Sequence, residues 1–226
     1  MQNAHPLIQK PRGKDLFSWP CELPEFLSPL FDSELDLWDA MTEALHYFNI
    51  TLKDISPKSS SNAKVSPKAE LIHPEMIWIE EGAEISPFAQ IEGPVYIGKN
   101  VRIGHSALVR PNTILCEGAK VGHASEVKSS IFLPHAKAPH FNYVGNSLLG
   151  SDVNLGAGAI LSNLRLDEAM ISCSYKGKRF LTNHSKLGAI LADRVQIGCN
   201  VVLNPGTILE QGAIIAPAKP RRFPTT

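Results

Sequence analysis

A beat of six residues runs through the middle of this chain. Aliphatic residues fall at Ile79, Ile85, Ile91, Ile97, Ile103, Val109, Leu115, Val121, Val127 and Leu133, ten in succession. Two positions before each stands a second residue, mostly small or β-branched, as at Ala83, Ala89, Val95, Val101, Ala107 and Thr113. Glycines cluster just after the beat, in YIGKN, RIGHS and KVGHA. The beat resumes at Leu149, Leu155 and Leu161, and again at Leu191, Ile197, Leu203, Leu209 and Ile215. A helix repeats every ~3.6 residues, so positions six apart fall on different faces of it. Two alternating positions and a turn residue describe a short strand and a corner. Repeated, they describe an all-β fold, a parallel β-helix coiled from hexapeptides with the beat inside. Three hexapeptides close one triangular coil, so residues 18 apart in sequence stack vertically, about 4.8 Å from each other.

The pattern stops at both ends. Residues 1–67 are expected to form an extension and residues 68–218 the β-helix, with 219–226 a basic tail. Within the extension, Leu37, Met41, Ala44, Leu45 and Phe48 make one apolar stripe at helical spacing. A helix over about 33–50 follows, with Ser33 as N-cap and the stripe as a packing face. SPKSSSNAKVSPK then reads as a linker. The beat is also interrupted twice, over 134–148, where KAPHFNYVGN lies, and over about 162–186. Long inserts in a rigid scaffold often carry function.

Lysine plus arginine equals aspartate plus glutamate, 22 each, which points away from nucleic acid and membrane surfaces as partners. No apolar run approaches the ~20 residues that span a bilayer, and the N-terminus lacks a signal-peptide core. Cys21, Cys116, Cys173 and Cys199 show no CxxC spacing, so free thiols and a cytoplasmic location are expected.

Arg110 and Lys128 are 18 apart and each follows a beat residue, so they stand on one edge, one coil apart. Stacked cations repel unless an anion lies between them, and phosphate is a usual ligand of both. The alternative is that they swing into water or meet carboxylates. His105 and His123 repeat the spacing. Stacked histidines raise a metal site, and the pair resembles part of the γ-class carbonic anhydrase pattern. That pattern needs a third histidine where Lys128 stands, so corner packing is favoured and no metal is expected. His140, with Tyr143 three residues on, is either structural or a proton acceptor near neutral pH.

Residues 109–163, VRPNTILCEGAKVGHASEVKSSIFLPHAKAPHFNYVGNSLLGSDVNLGAGAILSN, resemble the acetyltransferase domain of the bifunctional N-acetylglucosamine-1-phosphate uridylyltransferase/glucosamine-1-phosphate acetyltransferase family. The shared elements are Arg-Pro, Gly-x-x-x-Glu-x-Lys, Lys-x-x-His-x-x-Tyr-x-Gly, Asn-x-Gly-Ala-Gly and a final Asn, in that order. The likeness covers about residues 70–218. It implies a left-handed coil, although parallel crossovers are right-handed in roughly 98% of cases. It implies acetyl transfer from acetyl-CoA to an amino-sugar 1-phosphate, feeding UDP-N-acetylglucosamine synthesis, by a homotrimer with a site at each subunit boundary and no metal in the reaction. It implies that Arg110 and Lys128 hold the phosphate and His140 is the general base. Tyr143 and Asn154 position the sugar, the Ala157 N–H receives the oxyanion, and Asn163 lies near the thioester. Cys199 and Ala216 line the coenzyme A arm, with Arg221 and Arg222 at its phosphates.

The chain also departs from that family. Residues 1–67 hold no Gly-rich uridylyltransferase loop, so a separate nucleotidyltransferase is an expected partner. Leu164 replaces a tyrosine. A short Lys-x-Lys loop gives way to the 162–186 insert, which is more like that of archaeal sugar-1-phosphate enzymes. Lys176 and Lys178 are candidates for the missing lysines, and the acceptor is glucosamine-1-phosphate or galactosamine-1-phosphate. The competing readings are another sugar or nucleotide-sugar acyltransferase of this fold, and a non-catalytic trimeric scaffold.

Overall fold

The structure, a computed structural model, describes residues 9–18, 23–32, 34–54 and 59–218. Three parallel sheets of eight, seven and seven strands form the sides of a prism. The first face carries Lys120–His123, Lys137–His140 and Asn154–Leu155; the second carries Leu108–Val109, Glu126–Lys128 and Tyr143–Gly145; the third carries Thr113–Leu115, Ile131–Phe132 and Leu148–Leu149. The chain visits the faces in turn, and each strand pairs with its counterpart one coil away. The expected β-helix is therefore the observed fold, and its first paired strand is Lys64–Val65. The beat residues fill one continuous interior, from Ile79 to Ile215.

The first expected interruption is not one. Val109 pairs with Val127, a step of 18, but Ile114 pairs with Ile131, a step of 17. Two residues separate Arg110 from Thr113, whereas one separates their counterparts Lys128 and Ser130. The buried Ser130 closes the tighter corner by donating to the Lys128 carbonyl at 2.7 Å, and Ser147 does the same to Gly145 at 2.8 Å one coil later. Phe132 therefore takes the interior place expected for Leu133, which faces outward into a second cluster. Residues 134–148 stay in the coil with Ala138 and Val144 inside.

That second cluster explains what covers the third face. Its outer row, Ile114, Ile131, Leu148 and Ile190, is fully buried. A helix Leu37–Asp54 lies against it through Leu37, Trp38, Met41, Ala44 and Phe48, with Leu45 at the margin. The Asp36 carbonyl accepts from the Asp39 and Ala40 N–H groups at the helix start, while the expected cap Ser33 lies outside the described residues. The buried Asp193 ties the extension down by accepting from the N–H groups of Ser18 at 2.7 Å and Ser151 at 2.8 Å. The long insert forms an antiparallel hairpin, Ser172–Tyr175 with Lys178–Leu181. It folds back onto the same face through Ile171, Cys173, Tyr175 and Phe180. Among the described residues, no helix is long and apolar enough to cross a membrane.

Candidate functional site

The corner between the first and second faces stacks His105, His123, His140, Ala157 and Cys199 in one column. Along it the carbonyls of His105, His123, His140, Ala157 and Cys199 each accept from a backbone N–H one coil on, at 3.2, 3.0, 3.0, 2.9 and 3.1 Å. Glycine is what lets the coils close here. A Cβ on Gly122 would sit 1.8 Å from the Pro139 carbonyl oxygen, and one on Gly156 would sit 2.5 Å from the Cys199 nitrogen.

His140 is exposed, and its ring has no hydrogen-bond partner among the described residues. Its backbone N–H donates to Asn142 Oδ1 at 3.0 Å. The buried Asn142 in turn donates from Nδ2 to the Gly156 carbonyl at 2.8 Å. This side chain holds the turn that carries His140 to the coil that carries Ala157. The half-buried Ala157 N–H has no acceptor among the described residues, which leaves it open one coil beyond His140. Asn154 lies on the first face, paired with Lys137 and Gln196. Cys199 and Ala216 are exposed further along the same edge. Arg221 and Arg222 fall outside the described residues.

The stacked histidines are engaged with each other. His123 Nδ1 donates to the His105 carbonyl at 2.9 Å and lies 3.3 Å from His105 Nδ1. Phe88 and Phe141 cover the two ends edge-on.

A cationic patch lies at the far border of the second face. Arg110 and Lys128 stack as the spacing required, and Arg110 also meets a carboxylate, with Nη1 2.9 Å from Glu126 Oε1. Burial and then the neighbouring charges of Arg110 and Lys186 hold the Lys128 ammonium below the usual lysine range, and Glu126 only partly opposes them. Arg110 and Lys186 thus both bear on Lys128, with Glu126 opposing them. Tyr143 sits in the coil above Glu126. Burial and Glu126 raise its phenol while Arg110 lowers it. Its hydroxyl meets Asn163 Oδ1 at 3.3 Å, and Asn163 Nδ2 donates to Asn146 Oδ1 at 2.6 Å. A Cβ on Gly145 would lie 2.8 Å from the Tyr143 hydroxyl, so the Tyr-x-Gly spacing makes room for this pair.

The structure does not bring every candidate here. Lys176 and Lys178 belong to the hairpin on the third face, with their ammonium groups over Tyr175 and Phe180. Leu164 is exposed next to Asn163. The lysine that does reach Lys128 is Lys186, where the insert returns to the coil. No periodicity announces it, because it stands outside the hexapeptide register.

Residues 91–220 match the family described as the GMPPB C-terminal domain, more than half of the chain. The chain belongs to that family. Its relatives include a bifunctional sugar-1-phosphate nucleotidylyltransferase/acetyltransferase of Sulfurisphaera tokodaii, 46% identical over 139 residues, 62% of this chain and 35% of that protein. The bifunctional protein GlmU of Methanococcus vannielii is 39% identical over 180 residues, 79% of this chain and 41% of that protein. The chain thus matches less than half the length of these two relatives. Among solved structures, a hexapeptide transferase family protein from Anaplasma phagocytophilum is similar at 17% identity and a TM-score of 0.43, over 76% of this chain and 81% of that one. The resemblance read from residues 109–163 therefore stands, and GMPPB C-terminal domain proteins are its wider frame.

Proposed function

We propose that this protein transfers acetyl from acetyl-CoA to the amine of an amino-sugar 1-phosphate, glucosamine-1-phosphate or galactosamine-1-phosphate. The observation that carries this reading is the cationic patch, where Arg110 stacks on Lys128 beside Glu126, and burial, Arg110 and Lys186 together lower the affinity of Lys128 for its proton. A phosphate dianion relieves that repulsion and is matched by Arg and Lys donors. The name of the Sulfurisphaera tokodaii relative, a sugar-1-phosphate nucleotidylyltransferase/acetyltransferase, supports a sugar-phosphate acceptor and acetyl transfer.

The chemistry then follows from the corner column. A sugar ammonium must lose a proton before its nitrogen can attack a thioester. The His140 imidazole, exposed and unpartnered, takes that proton, a role worth roughly 10²–10⁴-fold. The carbonyl oxygen of the tetrahedral intermediate is received by the open Ala157 N–H, a donor that needs no reorganisation. Collapse breaks the carbon–sulfur bond, the proton on His140 goes to the departing thiolate, and the second proton of the acylated nitrogen is released to solvent. Tyr143 and Asn163 fix the sugar beside the patch, with Asn154 on the adjoining face, while Cys199 and Ala216 continue the corner as a track for the coenzyme A arm. Tethering both substrates supplies much of the remaining acceleration.

His140 and Lys128 border opposite ends of the second face, separated by a strand on the order of 10 Å long. An amino-sugar 1-phosphate carries amine and phosphate on neighbouring carbons. A three-fold assembly that sets one prism's corner against another's patch brings them together, so the working unit is a homotrimer in this reading. A separate nucleotidyltransferase that consumes the product is its natural partner. Thiol release from acetyl-CoA, followed with glucosamine-1-phosphate and galactosamine-1-phosphate as acceptors, tests the activity. Release dependent on either acceptor is expected, and none with any amino-sugar phosphate would overturn the reading.

A further inference from the structure

A cavity of about 360 Å³ lies between the helix Leu37–Asp54 and the corner joining the second and third faces. Thr42, His46 and Asn49 of the helix form one wall; Ser129, Asn146 and Lys186 form the other. The lining is mostly polar, unlike the apolar seam that holds the rest of the helix to the coil. Two contacts fix its frame. Asn49 Nδ2 donates to Asn112 Oδ1 at 2.9 Å, and Asp39 meets His184 Nε2 at 2.8 Å. His46 is exposed, and its ring has no hydrogen-bond partner among the described residues. Thr42 donates to the Trp38 carbonyl at 3.1 Å and keeps its acceptor lone pairs.

The cavity continues the cationic patch. Lys186 lines it and also acts on Lys128. Asn146 lines it and accepts from Asn163, which meets Tyr143. A phosphate between Lys128 and Lys186 therefore lies at its mouth.

We propose that this helix is part of the acceptor site: with the phosphate at Lys128 and Lys186, sugar hydroxyls enter the cavity and meet Thr42 and His46, so the extension helps select the sugar. The inference rests on the acceptor being an amino-sugar phosphate. Hydroxyl positions distinguish such sugars, and a wall of neutral donors and acceptors reads hydroxyl positions, whereas a lysine patch reads only the phosphate.

Calorimetric titration of the full chain with glucosamine-1-phosphate, galactosamine-1-phosphate and inorganic phosphate tests it. His46→Ala should weaken at least one sugar phosphate by about three- to tenfold, the worth of one hydrogen bond, and change the ratio between the two. Inorganic phosphate should bind as before, and His46→Gln should recover most of the loss. Thr42→Ala should act in the same direction. Unchanged affinities and ratio in both alanine variants would overturn the inference, as would a wild type that binds sugar phosphates no better than phosphate. The two readings fail separately. Sugar discrimination through His46 without acetyl transfer sinks only the catalytic proposal, and acetyl transfer with sugar affinities and ratio indifferent to both residues sinks only this one.

Discussion

Lys128 shows how a single residue carries the electrostatic strain of a stacked cationic patch. Its ammonium is held below the ordinary lysine range by burial and by two neighbouring cations. The folded chain therefore binds this proton less tightly than the unfolded one. The penalty is fully present below the lowered pKa and fades as pH rises through it towards the ordinary lysine value, so stability should climb with pH in that window. Lys128→Met should raise the Tm of the ligand-free protein slightly, by the equivalent of less than about 1 kcal/mol. It should also abolish the Tm increase that phosphate gives the wild type. A phosphate response that survives the substitution would remove Lys128 from the site. Stacking of Arg110 on Lys128 was legible because both sit in the repeat, where 18 residues translate directly into height. Lys186 was not, since a side chain delivered by a non-repetitive insert has no register to read. His140 was legible as a candidate, but the hold on its turn, through Asn142, depends on three coils at once.

At the level of elements, the corner Pro139–Asn142 is the part that would aim His140 in the proposed reaction. The Asn142 side chain accepts from the His140 N–H and donates to the Gly156 carbonyl, and its backbone N–H donates to Ser125 Oγ at 3.1 Å. Asn142→Ala removes the acceptor of the His140 N–H and leaves a hole where the buried amide stood, and should cost about 1–3 kcal/mol in urea unfolding. It should lower kcat more than it changes the KM for acetyl-CoA. A loss of stability with kcat intact would make the turn structural only. This corner was misread in sequence as a broken coil. The cause is one residue missing at Ser129–Ser130 and a second at Asn146–Ser147, each of which shifts the interior positions after it by one; the first moves Leu133 outside. A count locked to six does not tolerate a five, whereas the side-chain hydrogen bonds of Ser130 and Ser147 absorb it.

On the scale of the whole molecule, the extension completes the core of the fold. Apolar pairs such as Ile131-Phe132, Leu148-Leu149 and Ile190-Leu191 recur on the third face. Such runs mark a sheet buried on both sides, and that signal in the sequence identifies the face that something must cover. The helical stripe was equally legible, but its destination was not, because periodicity says which side of a helix is apolar and nothing about where it docks. Trp38, 1% exposed in this seam, should cost about 3–5 kcal/mol when changed to alanine. A smaller loss would mean that the helix is loosely attached, and would weaken the case that it walls the acceptor cavity.

The assembly carries the central claim, that His140 of one subunit works on a sugar phosphate held by Arg110 and Lys128 of another. His140→Ala and Lys128→Ala chains should each be nearly inactive alone. Co-expressed in equal amounts and assembled at random, they should restore about a quarter of wild-type thiol release, since one site in four then combines an intact histidine with an intact lysine across a cyclic interface. Mixed assemblies no more active than either parent would contradict the account.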